Sequence, residues 1–215
     1  STLEWQCICP TPDLTAISTG VTSMADDRNI TVSTALGDKL LFAQMEGFDE
    51  ISQCVRNETG LISKDINVKA EDILGTAVTI AVKTDSAKRF FHGYVAEFAF
   101  LEYREDYAHS RALLRPWLWF LTNRTDHRIF QQKSVVEIIE EVWKPYANVK
   151  VEKRLKKSYP PREYCVQYRE SDLDFVQRLM EHEGIGYFFE YGDGVHTLVL
   201  FDAMGKLRLD DHQCD

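Results

Sequence analysis

The 215-residue chain sets 25 lysines and arginines against 34 aspartates and glutamates, a formal net charge of −9, and 44% of its residues are hydrophobic. That apolar share supports a folded core and excludes a disordered chain, while the acidic balance argues against general affinity for nucleic acid or an anionic membrane, which draws on clustered positive charge. No apolar run reaches the roughly 18 residues that a membrane helix needs, and the start STLEWQCICPTPD lacks a basic, then apolar, leader. The expectation is a protein made in the cytosol and soluble there.

Residues 1–37 mix Pro, Gly, Asp and Asn with little periodicity and read as an extension or irregular lead-in. Cys7 and Cys9 lie two apart, but no second pair follows at metal-ligand spacing. With Cys54, Cys165 and Cys214 they form an odd, scattered set without a C-x-x-C pair, so free thiols are expected. From Leu40 onward short apolar runs alternate with turn signals, as in a β meander or barrel. Ala77 to Val82 is short and rich in β-branched residues and ends in the polar turn Lys83-Thr84-Asp85-Ser86, which predicts a hairpin with Arg89 to Phe100. Gly93 inside that second strand is read as a bulge or bend. In RPWLWFL, Trp117, Trp119 and Leu121 alternate with Leu118 and Phe120, which predicts a strand apolar on both faces, with Pro116 at its start marking a sheet edge that oligomerisation would cover.

After Asn123-Arg124-Thr125-Asp126 the period lengthens. Ser134 with Glu137 forms a capping box, and Val135, Ile138, Ile139, Val142 and Tyr146 recur at helical spacing, predicting a helix over 135–146 that is irregular near Pro145. A strand is expected around Val149 to Leu155 and another through Tyr164, Val166 and Tyr168, after the extended Pro160-Pro161. Ser171 and Asp174 open a second helix, Leu173, Val176, Leu179 and Met180 give its buried stripe, and Gly184 ends it. The last segments read as two strands joined through Gly192-Asp193-Gly194. The fold class is therefore α+β, mainly β.

Candidate chemistry is sparse. Glu181, His182 and Glu183 are consecutive, so on a helix they diverge and cannot converge on one ion. Asp172 and Asp174 suit the positive end of a helix dipole without any catalytic role. His92, His109, His127 and His196 look isolated, and neither a nucleophile elbow nor a phosphate-cradling loop is present. The stretch from Lys150 to Arg162 holds six basic residues, read as a solvated surface with an anion-binding face as the alternative. No catalytic, cofactor or metal residue is assigned.

Three stretches carry a family resemblance: RFFHGYVAEFAFL (Arg89 to Leu101), LLRPWLWFLTNRTDHRIFQQKSVVEIIEEV (Leu113 to Val142) and SYPPREYCVQYRESDLDFVQRLMEHEGIGYFFEYGDGVHTLVL (Ser158 to Leu200). In order and spacing they resemble the VgrG proteins, the spike proteins of bacterial type VI secretion related to contractile-phage baseplate hubs. The resemblance spans about Asp38 to Asp202. It implies a baseplate-hub-like fold: a first β-barrel-like tube domain over 38–125, an α/β unit with two helices and a C-terminal hairpin over 126–202, and a truncated further region from 203 to 215. It also implies a non-enzymatic subunit that forms a homotrimer, seats on the Hcp hexamer tube and meets baseplate components. In the family, a PAAR-repeat tip protein and effectors join through a neck and needle beyond this chain, which makes the sequence a fragment of a longer protein. Assembly would take place in the cytoplasm, followed by export through injection. Two departures stand out. Arg56, Asn57, Glu58 and Thr59 break the apolar alternation expected between Ile51 and Leu61, and Gly186 stands where the family has a bulkier residue. The rival readings are the tail hub of a contractile prophage, a glycan-degrading enzyme, which needs two carboxylates across a cleft, and a cargo adaptor using the Lys150 to Arg162 face.

Overall fold

The computed structural model describes residues 3–8, 29–84 and 87–203, the first segment by its backbone pairing alone. Seven strands form one antiparallel sheet: β1 (Leu3–Ile8), β2 (Ile30–Ser33), β3 (Leu41–Asp49), β4 (Arg56–Ser63), β5 (Ala77–Lys83), β6 (Lys88–Arg104) and β7 (Tyr107–Arg115), in the order β1-β3-β4-β7-β6-β5-β2. The sheet curls until the edge strand β2 lies against β3. Leu40, Met45, Leu61, Ile73, Val78, Ile80, Phe91, Val95, Ala112 and Leu114 fill its concave side. Residues 1–37 were expected as a lead-in, yet they supply both edge strands of this wall. Four residues suffice for β2 because its partner β5 fixes the register, so no local periodicity was available to announce it.

β4 answers the first departure. Asn57, Thr59, Leu61 and Ser63 all face inward in strict alternation, so the stretch is a strand whose inner face is partly polar. Asn57 Oδ1 and Thr59 Oγ1 are buried without a hydrogen-bond partner. Apolar patterning failed there because pleat and pairing, not hydrophobicity, set the alternation.

The second unit contains β8 (Thr125–Lys133), α1 (Val135–Trp143), β9 (Val151–Arg154), β10 (Arg162–Ser171), α2 (Asp172–Glu183), β11 (Gly186–Gly192) and β12 (Val195–Phe201). β8 and β10 pair as an antiparallel ribbon, while β11, β12 and β9 form a three-stranded sheet in which β9 runs parallel to β12. Both helices are capped as the sequence predicts. Ser134 and Glu137 bond reciprocally, Ser171 Oγ accepts from Asp174 N–H, and Gly184 takes a φ of 70° at the end of α2. α1 stops at Trp143, two residues before Pro145. Among the described residues no helix is long and apolar enough to cross a membrane.

Three local expectations change. Trp117–Asn123 is a 3-10 turn rather than a strand. Pro116 has no N–H to extend the ladder, so β7 stops at Arg115, and the backbone folds into a turn whose Trp119 N–H donates to Pro116 O at 3.0 Å. Trp117, Leu118 and Leu121 then share one buried side, a grouping that a strand could not produce. Oligomerisation inferred from a Pro116 edge strand loses that basis. Gly93 makes no bulge: it pairs regularly with Val78, and the irregularities fall later, between Val95 and Glu97 and between Phe100 and Glu102. A Cβ at Gly93 would stand 3.1 Å from both Arg115 O and Leu114 Cβ, so this glycine serves close strand approach.

Gly186 answers the second departure. A Cβ there would lie 2.5 Å from Phe201 Cζ, because the ring covers the glycine across the β11–β12 pair. Gly186→Ala is expected to destabilise the fold by about 1–3 kcal/mol through overpacking. Adding Phe201→Leu should recover part of that loss in chemical denaturation, and the absence of any recovery would refute the assignment.

Candidate functional site

Two histidines that look isolated in sequence meet where the units join. His92 on β6 and His196 on β12 place their Nδ1 atoms 2.7 Å apart, and Trp117 N–H donates to His196 Nε2 at 2.9 Å. That donation makes Nε2 the acceptor, so His196 carries its proton on Nδ1 and donates to His92 Nδ1. The His92 proton is then on Nε2, which is buried without a partner. Burial, and next to it the charge of His92, pushes His196 down to about 3, and burial also lowers His92, so both rings stay neutral. Tyr94, Phe189 and Tyr191 surround the pair, with Phe189 packed edge-on to His196 at 5.7 Å. Ser52 N–H donates to Tyr187 O at 2.8 Å and ties the β3–β4 connection to β11. Close by, burial pushes Asp49 up to about 6 against the opposing pull of Arg89. Enclosed, neutral and hydrogen-bonded in series, the histidines act as a joint between the two units. A separation of 104 residues left no local signal for it.

The charged start of α2 is more than a helix cap. Asp172 is fully buried, and its carboxylate accepts from Arg128, from Gln167 Nε2 at 2.8 Å and from Tyr146 OH at 2.9 Å. Its N–H donates to Arg124 O at 2.8 Å, so four residues converge on one aspartate. Asp174 instead faces solvent and bonds Ser171. The two carboxylates therefore do not face each other across a cleft. At the other end of α2, Glu181 and His182 are exposed, and Arg162 binds His182 Nδ1 at 2.9 Å and Glu183 at 2.6 Å. Among the described residues no group of three or more His, Cys, Asp or Glu is placed to hold a metal ion. The Cys7 and Cys9 side chains and Cys214 lie outside what is described. Cys54 and Cys165 are free, and burial pushes Cys54 up to about 11.

Carboxylates take up much of the basic stretch. Lys153 pairs with Glu140, Arg154 with Glu152 and Glu190, and Arg162 with Glu183, while Asp202 accepts the backbone N–H groups of Lys156 and Lys157. Exposed pairs of this kind contribute about 0–1 kcal/mol each, and the exposed Lys150, Lys156 and Lys157 stay outside them. Arg178 bonds Glu170 at 2.6 Å and the Val166 carbonyl at 3.3 Å, and Arg169, at the β10 irregularity, lies over the Tyr168 ring at 5.1 Å.

Two exposed β surfaces remain. On the β8–β10 ribbon, Phe130, Cys165 and Gln167 face the core, while Ile129, Tyr164 and Tyr168 are 63%, 56% and 60% exposed. The second surface is the far half of β6. There Phe100, Leu101 and Tyr103 are exposed along a stretch running to a turn at Glu105 and Asp106, whose φ angles are 53° and 65°.

A curled, mainly β wall joined to an α/β unit, with enclosed polar centres and exposed β surfaces, defines a structural subunit of the phage-tail hub type. The chain belongs to the phage tail baseplate hub (GPD) family, whose model matches residues 49–213. It is 41% identical over 183 residues to the type VI secretion system spike protein VgrG1a of Pseudomonas aeruginosa, covering 84% of this chain and 28% of that protein. The actin cross-linking toxin VgrG1 of Vibrio cholerae is 33% identical over 153 residues, 71% of this chain and 14% of the toxin. Among solved structures, an E. coli component of the type VI secretion system, similar in structure to T4 bacteriophage tail proteins, superposes with a TM-score of 0.69 at 25% identity, covering 83% of this chain and 48% of that one. The chain thus spans about a quarter of the curated spike protein it matches.

Proposed function

We propose that this chain is the hub region of a type VI secretion spike, a non-enzymatic subunit that forms a homotrimer and joins the Hcp tube to the puncturing needle for effector delivery. The observation that carries this reading is the 41% identity to VgrG1a across 84% of the chain. In this reading residues 38–125, with the strands that residues 1–37 add, build the tube wall. Residues 126–202 brace it, and 203–215 begin a further region. Baseplate components bind the hub itself, and the PAAR tip and effectors attach through parts of the spike outside these residues. Assembly is cytoplasmic and export is by injection. A ring of such walls would leave few free sheet edges and transmit thrust through intersubunit contacts. The test is sedimentation of the chain alone and with purified Hcp tubes. A trimer that pellets with the tubes is expected. A chain that ignores Hcp but pellets with the tail tube of a contractile phage would favour the prophage-hub reading, and one that binds neither would overturn the hub assignment.

A further inference from the structure

The parallel pair of β9 and β12 ends with Phe201 opposite Arg154. As β9 leaves the sheet, the next backbone N–H groups, those of Lys156 and Lys157, need another acceptor. Both turn to one carboxylate. Lys156 N–H lies 3.0 and 2.8 Å from Asp202 Oδ1 and Oδ2, Lys157 N–H donates to Oδ2 at 2.7 Å, and Tyr159 OH donates to Oδ2 at 3.0 Å. Donors from one short turn thus converge on a single anionic group, which makes an anion-binding concavity out of ordinary backbone.

The turn is also held by contacts that do not involve Asp202. Leu155 and Tyr159 pack against the core of the second unit. A Cβ at Gly184 would stand 3.9 Å from Lys157 Nζ, so this ammonium lies at the C-terminal end of α2, where the helix dipole favours a cation. Arg162, just beyond Pro160-Pro161, bonds Glu183 and His182 on the same helix end. The donors are therefore fixed before a carboxylate meets them. Asp202 behaves as the occupant of such a site: the N–H of Lys157, with that of Lys156 and the Tyr159 hydroxyl, holds its carboxyl below the ordinary carboxylate range against the opposing effect of burial.

We propose that the Lys156–Tyr159 turn is a preformed carboxylate site whose resident ligand is Asp202, a clasp that fixes the direction in which the chain leaves β12. Asp202 is the first residue after that strand, so anchoring its side chain leaves the backbone little freedom to swing away from β9. Through the turn, the end of β12 is tied to the end of α2. In the hub reading residues 203–215 begin a further region, and the clasp then determines how that region is aimed; the contact itself stands or falls without that reading.

Hydrogen exchange of the 215-residue chain tests the clasp amide by amide. In Asp202→Ala the amides of Lys156 and Lys157 are expected to exchange faster by roughly tenfold or more, the factor that one hydrogen bond to a charged group carries, while the amides of α1 and of Leu198 to Leu200 keep their wild-type rates. Sodium acetate, compared with sodium chloride at equal ionic strength, should slow the two amides again in that variant, because the donors remain in place for a free carboxylate. Asp202→Asn, which keeps an acceptor oxygen without the charge, should fall between the two proteins. Tyr159→Phe removes one donor and should raise the two rates less than Asp202→Ala does. Wild-type rates at both amides in Asp202→Ala would overturn the clasp. Faster exchange spread evenly through α1 and β12 would overturn it too, since Asp202 would then support the fold at large. An absence of slowing by acetate would overturn the preformed site. Failure of the hub reading would show in tube co-sedimentation and leaves these exchange rates unaffected.

Discussion

Asp172→Ala is expected to destabilise the folded chain by about 3–5 kcal/mol in equilibrium denaturation, the range for removing one partner of a buried ion pair. The size follows from what would be stranded. Arg128, only partly exposed, keeps Asp126 at 3.0 Å but loses its buried counter-charge, while Gln167 Nε2 and Tyr146 OH lose the acceptor that holds them. Tyr146, now pushed up to about 12 by burial and by Asp172, should titrate at lower pH in the variant. Asp174→Ala supplies the contrast, because its carboxylate is exposed and serves only the helix start, with an expected cost of about 1 kcal/mol or less. Equal losses for the two variants would refute the central role of Asp172.

A second large effect is acid sensitivity of the joint between the units. His196 titrates near 3 in the folded chain against an ordinary value of 6.5, so below pH 6.5 the unfolded chain binds the proton that the folded chain refuses. The contribution is complete above pH 6.5 and is lost as pH falls toward 3. It amounts to about 1.4 kcal/mol per pH unit, on the order of 3 kcal/mol by pH 4.5, and lowered His92 adds in the same direction. Asp49 works the other way, because its raised value favours the folded chain as pH drops through 6. That opposing term cancels when wild type is compared with His196→Gln at each pH. The variant should be less stable at pH 7 and lose less on acidification, so acid slopes that are identical in the two proteins would disprove the neutral-pair account.

What was legible in the sequence was what short-range chemistry encodes. The Ser134 and Ser171 caps, the Gly184 stop, the β5–β6 hairpin and the final hairpin through Gly194 each need only a few neighbouring residues to specify them, and all stand where the pattern put them. The misplaced elements are those that distant partners determine. WLWFL alternates well enough for a strand, but Pro116 cuts the ladder and the helical surface of α2 receives its side chains. β2 exists because β5 holds it. The His92–His196 contact and the gathering of Arg128, Tyr146 and Gln167 around Asp172 depend on tertiary folding, and composition gives no hint of either. Among the charged residues from Tyr164 to Ile185, the buried one proved the most consequential, and its neighbours Arg169 and Arg178 found intramolecular partners.

The connection between β3 and β4 has a bearing on how the chain folds. Val55 belongs to the hydrophobic core of the second unit, and Ser52 bonds Tyr187, 135 residues further on. During synthesis the curled sheet emerges first, yet this part of it stays in water until β11 has been made. Long-range closures of this kind come late and slowly. They also bind the two units into one cooperative transition, so that loss of the C-terminal hairpin would loosen the first-made sheet at the turn between its third and fourth strands.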